Sequence, residues 1–134
     1  MAFPNRLFTY PTWRFIGLGL TTTVFSLGSL ALISPSAAAS SLGVVPTTPE
    51  GRDIADKAMI FLGIRDIAVA GALFWLHCEG KGKEMGAIFI AWTAVCVVDT
   101  WVTTTGPRGW DNGVWGLCGG AAVVAFGGLG LFQL

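Results

Sequence analysis

Charge is scarce in this sequence. Only 12% of the 134 residues are Asp, Glu, Lys or Arg, which is roughly half the share found in an average soluble domain. Eight basic residues balance eight acidic ones, so the net charge is zero. The chain has no basic stretch of the kind that binds nucleic-acid phosphates. We therefore expect no nucleic-acid partner, and the composition argues against a soluble protein.

Metal ligands and reactive side chains are also few. There is one histidine, and the three cysteines, Cys78, Cys96 and Cys118, are odd in number and lack the spacing of a metal site or a disulfide framework. No glycine-rich phosphate loop or redox motif is present. We expect neither a cofactor nor a bound metal ion, and the sequence disfavours redox and phosphoryl-transfer chemistry.

Hydrophobic residues make up 53% of the chain and fall into four apolar stretches. Each stretch has close to the roughly 20 residues that a helix needs to cross a bilayer. Because only helices and closed barrels satisfy the backbone inside lipid, we predict an all-α fold, a polytopic membrane four-helix bundle. It forms a single transmembrane domain over residues 1–134, with spans at about 13–34, 58–77, 85–105 and 113–134.

The connections between these stretches differ in length. Residues 35–49 are predicted to form an irregular loop, since they are rich in serine and proline and carry no charge. Thr47 and Glu50 have the spacing of a capping box, which predicts that the second helix begins near Pro49. The charged connection at 78–84 is short, so the second and third spans should run antiparallel.

The N-terminal segment allows two interpretations. Arg6 and Arg14, an apolar run and a set of small residues up to Ala39 resemble a secretory signal that is cleaved after Ala39. The apolar run is longer than a usual signal core, and cleavage would leave only three spans. We therefore expect four spans. The side shared by both termini carries four basic residues against three opposite, which favours cytosolic termini.

Three ionisable residues lie deep in apolar stretches: Arg65, Asp66 and Asp99. Each costs roughly 2.5–3.5 kcal/mol at the centre of a membrane helix unless it finds a partner. Sequence neighbours on a helix point in different directions, so Arg65 and Asp66 should pair with residues of another helix. Arg65 lies roughly 18 Å from the loop between the second and third spans and Asp99 roughly 21 Å. The matched depth predicts an Arg65–Asp99 pair, or a triad with Asp66.

This cluster would hold one permanent cation and two carboxyl groups. If all three groups were charged, the cluster would carry a net negative charge in a dry environment, so we expect one acid to keep its proton near neutral pH. A protonated acid beside a fixed cation can transfer protons. The alternative is a structural role, in which the pair fixes the register of two helices.

Three further residues are candidate substrate contacts. Trp92 lies in the middle of a span, whereas the other tryptophans lie near span ends. Thr103 stands one turn from Asp99, and Thr22 belongs to a polar stripe on the first span. As an alternative, the threonine hydroxyls bond to their own helix backbone.

Gly116 and Gly120 in the fourth span have the spacing of a small-xxx-small helix contact. The simpler interpretation is close packing inside the bundle. The alternative is self-association of two copies of the chain through this face.

Two segments resemble a family of small membrane proteins that are abundant in filamentous fungi and described as a domain of unknown function. They are "GIRDIAVAG" at 63–71 and "VDTW" at 98–101, and the resemblance covers about residues 12–130. Some family members are encoded within secondary-metabolite gene clusters, which implies a role on lipophilic polyketide or terpenoid intermediates. The positions that the resemblance marks are Gly63, Arg65, Asp66 and Asp99.

Together these features lead us to expect an integral membrane protein of a fungal endomembrane, such as the endoplasmic reticulum. It would bind a lipophilic intermediate among membrane lipids and assist its cyclisation or isomerisation during biosynthesis of a secondary metabolite. Asp66 or Asp99 would be the acid/base, and Arg65 would keep the other carboxylate ionised or stabilise an oxyanion. The alternatives are a non-catalytic scaffold or accessory subunit for a biosynthetic enzyme, and a small proton-coupled carrier.

Overall fold

The computed structural model describes residues 3–134, and this part of the chain contains helices and no strand. The all-α prediction is confirmed. A single 3-10 turn over Asn5–Leu7 precedes five α-helices. The helices are Tyr10–Ile33 (α1), Pro35–Ser41 (α2), Pro49–Cys78 (α3), Gly82–Thr104 (α4) and Asn112–Phe132 (α5).

Four of the five helices are long and apolar enough to cross a membrane. They are α1, α3, α4 and α5, with 24, 30, 23 and 21 residues. Large hydrophobic side chains cover their outer surface; Phe15, Phe61 and Trp101 are each more than two-thirds exposed. A surface of this kind is stable against lipid rather than water. The chain is therefore an integral membrane protein, as the four apolar stretches predicted.

The prediction of an irregular loop at residues 35–49 is wrong over its first half, which forms α2. Pro35 occupies the first helical turn, where its missing N–H costs nothing, and the alanines that follow have the highest helix propensity. Ala38 and Ala39 are buried against α1 and α3. The short helix is thus stabilised both by its own sequence and by packing on the bundle.

The start of α3 near Pro49 is confirmed, but the capping residue is shifted by one position. The hydroxyl of Thr48, not that of Thr47, accepts a hydrogen bond from the backbone N–H of Gly51 at 3.0 Å. At the start of α5, Asp111 accepts one from the N–H of Val114 at 3.1 Å. Each cap satisfies one of the backbone donors that the first turn of a helix leaves free.

The long helices pack as two close pairs, α1 with α3 and α4 with α5. In the first pair, a Cβ added to Gly63 would lie 2.8 Å from the carbonyl oxygen of Gly28. In the second, a Cβ added to Gly128 would lie 3.0 Å from the backbone nitrogen of Ile90. Glycine lets the backbones of membrane helices approach this closely. By contrast, α3 and α4 touch only slightly, although they follow one another in sequence.

The two pairs join at one end of the bundle. At this end, which holds the start of α1 and the end of α5, large buried side chains from all four spans form one cluster. We call it the closing cluster, and its fully buried members are Trp13, Leu73, Met85, Phe89 and Leu131. Away from this cluster the pairs separate and leave space between them.

Candidate functional site

The space between the helix pairs is a cavity of about 420 Å³. All four spans contribute to its wall, and α2 with the residue after it covers the end opposite the closing cluster through Ala38, Ser41 and Leu42. Most of the wall is hydrocarbon. Its larger apolar side chains include Leu20, Val24, Leu27, Leu62, Leu117 and Val124.

The charged residues of the apolar stretches all line this cavity. Arg65 and Asp66 come from α3, and Asp99 comes from α4 together with Trp92 and Cys96. On α4, positions 92, 96 and 99 recur at helical spacing and so fall on one face. The structure thus brings the three ionisable residues and Trp92 to a single cavity, at the matched depth that their sequence positions indicated. Their chemical roles remain predictions.

The expected ion pair between Arg65 and Asp99 is not formed. Instead, Nε and Nη2 of Arg65 both donate to Oδ1 of Asp66, each at 3.2 Å. The expectation that sequence neighbours do not meet is wrong here, because the long arginine side chain bends back along the helix surface to reach the short aspartate. Its guanidinium carbon also lies 5.1 Å from the ring centroid of Trp92, a cation–π distance. Arg65 therefore links α3 to α4 through an aromatic ring.

Asp99 stands apart from this pair. Across residues 3–134, no hydrogen bond or ion pair engages its carboxyl group. It nevertheless lines the same cavity as Arg65 and Asp66. A carboxyl group that lines a cavity without a protein partner is available to a bound molecule.

Two predicted substrate contacts do not reach the cavity. The hydroxyls of Thr22 and Thr103 donate to the backbone carbonyl four residues earlier, at 2.9 Å and 2.8 Å, and neither residue is part of the wall. The hydroxyls bond as the alternative expected, because in apolar surroundings the nearest acceptor for a threonine hydroxyl is its own helix. A role of these residues in substrate binding stays a prediction. Thr23 does line the wall, but its hydroxyl bonds to the backbone in the same way.

Gly116 and Gly120 also line the cavity. A Cβ added to either would meet no other atom within 4 Å. The interpretation of these residues as a close helix contact inside the bundle is therefore wrong. The close contacts are made by other glycines, among them Gly28, which the sequence reasoning missed. Association of two copies through Gly116 and Gly120 remains a prediction.

The helix that covers the cavity is tied to the loop between α4 and α5. Nη2 of Arg108 donates to the carbonyl oxygen of Ser41 at 3.1 Å, and Nε of Arg108 lies 3.4 Å from Asp111. At Gly43, whose φ is 78°, an added Cβ would lie 3.2 Å from Nε of the same guanidinium. These contacts hold α2 over the end of the cavity.

Comparison with protein families places these features in context. Residues 21–131 match the family model described as Domain of unknown function (DUF4267). The chain belongs to this family. The DUF4267 match contains every charged residue of the cavity and part of each spanning helix. The chain matches no curated protein and no solved structure.

The part of the DUF4267 chain that the structure describes contains no set of ligands for a metal ion. No three His, Cys, Asp or Glu side chains of residues 3–134 come together as metal ligands would.

Proposed function

We propose that the protein binds a lipophilic intermediate in the cavity and assists its isomerisation or cyclisation by proton transfer. The observation that carries this proposal is the combination of a hydrocarbon wall with one cation and two carboxyl groups in the same cavity. A volume of about 420 Å³ lies within the usual range for small-molecule sites, about 300–1,000 Å³. Ionisable residues inside a membrane domain commonly mark a functional site.

The two acids stand in different surroundings, which supports different roles. Asp66 accepts two hydrogen bonds from Arg65, and this contact favours its ionised form. Asp99 has no such partner and is therefore the better place for a proton. We assign Asp66 as the base and Asp99 as the acid. Pairs of acids in unequal environments support acid/base catalysis in this way.

The proposed reaction is a proton relocation without net change. Asp66 takes a proton from a carbon next to a carbonyl group, and the electron pair of that C–H bond moves into the conjugated system. Asp99 gives its proton to the other end of the system, where a new C–H or O–H bond forms. Arg65 stabilises the negative charge that develops on the carbonyl oxygen. Return of one proton from Asp66 to Asp99, directly or through water, restores the starting state.

The resemblance of the Gly-x-Arg-Asp segment to fungal proteins encoded in secondary-metabolite gene clusters supports the biological setting. We propose an endomembrane of a fungal cell, such as the endoplasmic reticulum, and a lipophilic metabolite as the product. A biosynthetic enzyme that releases its intermediate into the bilayer would be the natural partner.

Aspartate-to-asparagine variants test this proposal in a host that carries the rest of the pathway. Asp66→Asn and Asp99→Asn keep the shape of each side chain, but an amide can neither take up nor give the proton that moves in the reaction. We expect product to fall about 10²- to 10⁴-fold in at least one of them. Asp53→Asn is the matched control, because Asp53 is exposed on the same helix as Asp66 and pairs only with Lys57.

Protein levels are compared by immunoblot, so that loss of product is not mistaken for loss of protein. If both cavity variants make product at the parental rate, the charged cluster is structural and the protein acts as a scaffold for another enzyme. Proton-driven uptake of the intermediate into vesicles by the purified protein would favour the carrier instead.

A further inference from the structure

We infer that the molecule bound in the cavity is neutral and mainly hydrocarbon, carries a single oxygen function, enters from the bilayer between α3 and α4, and lies against a wall formed by Gly116 and Gly120. This inference rests on the proposed function, since it names the substrate class for the same cavity. It follows from the charge of the cavity, the polarity of its wall, its opening and the shape of α5.

The charges of the cavity disfavour an ionic ligand. Its one cation, Arg65, already contacts Asp66 and the ring of Trp92, and two carboxyl groups face it. Whether or not one acid holds a proton, the cluster has no excess positive charge that would attract an anion. A cationic ligand would meet the Arg65 charge, and the ring of Trp92 that could bind it already has the guanidinium over it.

The polarity of the wall limits the ligand further. Apart from the charged cluster, Trp92 and Cys96, the wall consists of hydrocarbon side chains, glycines and hydroxyls that already bond to backbone carbonyls. A polar group buried against hydrocarbon without a partner lowers affinity. The carboxyl group of Asp99 has no hydrogen-bond partner among the described residues. It could form a hydrogen bond with one carbonyl or hydroxyl oxygen of the ligand.

The route into the cavity leads from the lipid. The closing cluster fills one end of the bundle, and α2, held by Arg108, covers the other. A gap toward the lipid lies between α3 and α4, which touch only slightly. The side chain of Arg65 is 41% exposed there. A lipophilic molecule can pass through this gap without crossing water. A molecule with a large polar headgroup would have to move that headgroup out of water to do so.

The face of α5 sets the width of the site. Gly116 and Gly120 present backbone instead of side chains to the cavity, with nothing within 4 Å of an added Cβ. A leucine at either position would therefore project into the cavity without disturbing the helix pairs. Gly119 offers a matched control, since its added Cβ also meets nothing within 4 Å but it is not part of the wall.

Ligands that share one carbon skeleton test the inference on the purified full-length protein in lipid nanodiscs. The probes are cyclododecanone, cyclododecane, cyclododecane carboxylate and cyclododecylammonium, and binding is measured by native mass spectrometry at equal amounts of probe per lipid. We expect the ketone to bind about tenfold or more tightly than the other three. We also expect Gly116→Leu to weaken ketone binding about tenfold, with Gly119→Leu at the parental affinity.

Equal or tighter binding of the carboxylate or the ammonium ion would overturn the inference. It would also be overturned if Gly116→Leu bound the ketone at the parental affinity, or if the parent did not bind the ketone. Gly116→Ala serves as a smaller change if the leucine variant does not fold. Binding is measured without turnover. If the parent binds the ketone selectively but the asparagine variants are fully active, the proposed catalysis is wrong and this inference stands. If ketone binding is not selective but the asparagine variants are inactive, only this inference is wrong.

Discussion

Replacement of Gly63 by alanine should force α1 and α3 apart. The added Cβ would lie 2.8 Å from the carbonyl oxygen of Gly28 and 3.0 Å from the Cβ of Ala31. Both atoms are fixed to the backbone of α1, so neither can rotate out of the way. The helices themselves have to separate, and the backbone contact that defines the first pair is lost.

The size of the effect follows from two opposing terms. Overpacking of a well-packed contact costs about 1–3 kcal/mol, while alanine in place of glycine favours a helix by about 0.5–1 kcal/mol. For Gly63→Ala we therefore expect a net loss of up to about 2.5 kcal/mol in the free energy of unfolding, with a central value of about 1 kcal/mol. Gly71, on the same helix, has nothing within 4 Å of an added Cβ, so Gly71→Ala should be neutral or stabilising by up to about 1 kcal/mol.

Reversible unfolding of both variants in mixed micelles, followed by circular dichroism as the denaturing detergent increases, measures this difference. The parent and Gly71→Ala are the references for Gly63→Ala. If Gly63→Ala is as stable as Gly71→Ala, the backbones of α1 and α3 are not in contact. The account of the cavity as a space between two close helix pairs would then be wrong.

Three further predictions concern the charged cluster, the helix over the cavity and the topology. Arg65→Leu should lower the folded yield more than Asp66→Asn does. Its loss in the free energy of unfolding should be smaller than the roughly 3–5 kcal/mol of a fully buried pair, because the side chain of Arg65 is 41% exposed. Equal monodisperse peaks in size-exclusion chromatography would contradict this. Arg108→Ala should weaken the hold on α2 by about 0.5–1.5 kcal/mol, seen as faster hydrogen exchange around Ser41 with exchange in the last turns of α5 unchanged. Tags at both ends should be open to protease in sealed microsomes with the cytosolic face outward, whereas a mature chain that begins near Ser40 would refute the four-span topology.

The fold could be predicted from the sequence because the signals for it are local. Scarce charge and four apolar stretches of spanning length depend only on composition and order along the chain, and they led directly to four membrane helices. The residues of the charged cluster could be selected for the same reason, since a charge within an apolar stretch is costly wherever the helix packs.

What could not be predicted depends on how the helices cross. Gly116 and Gly120 have the spacing of a helix contact yet line open space, whereas Gly28 and Gly63 make the contact. Spacing alone does not tell which face of a helix meets its neighbour. The partner of Arg65 likewise depends on the conformation of the arginine side chain and on the ring of Trp92. Neither can be predicted from the positions of the charged residues in the sequence.

The central claim is that the chemistry takes place inside the cavity, and product yield from a matched pair of variants tests it most directly. Gly116→Leu and Gly119→Leu add the same side chain to α5, but only the first fills the cavity. In the host that carries the rest of the pathway, at equal protein level, Gly116→Leu should lower product about tenfold or more and Gly119→Leu should leave it at the parental amount. Parental yield from both variants would contradict the account.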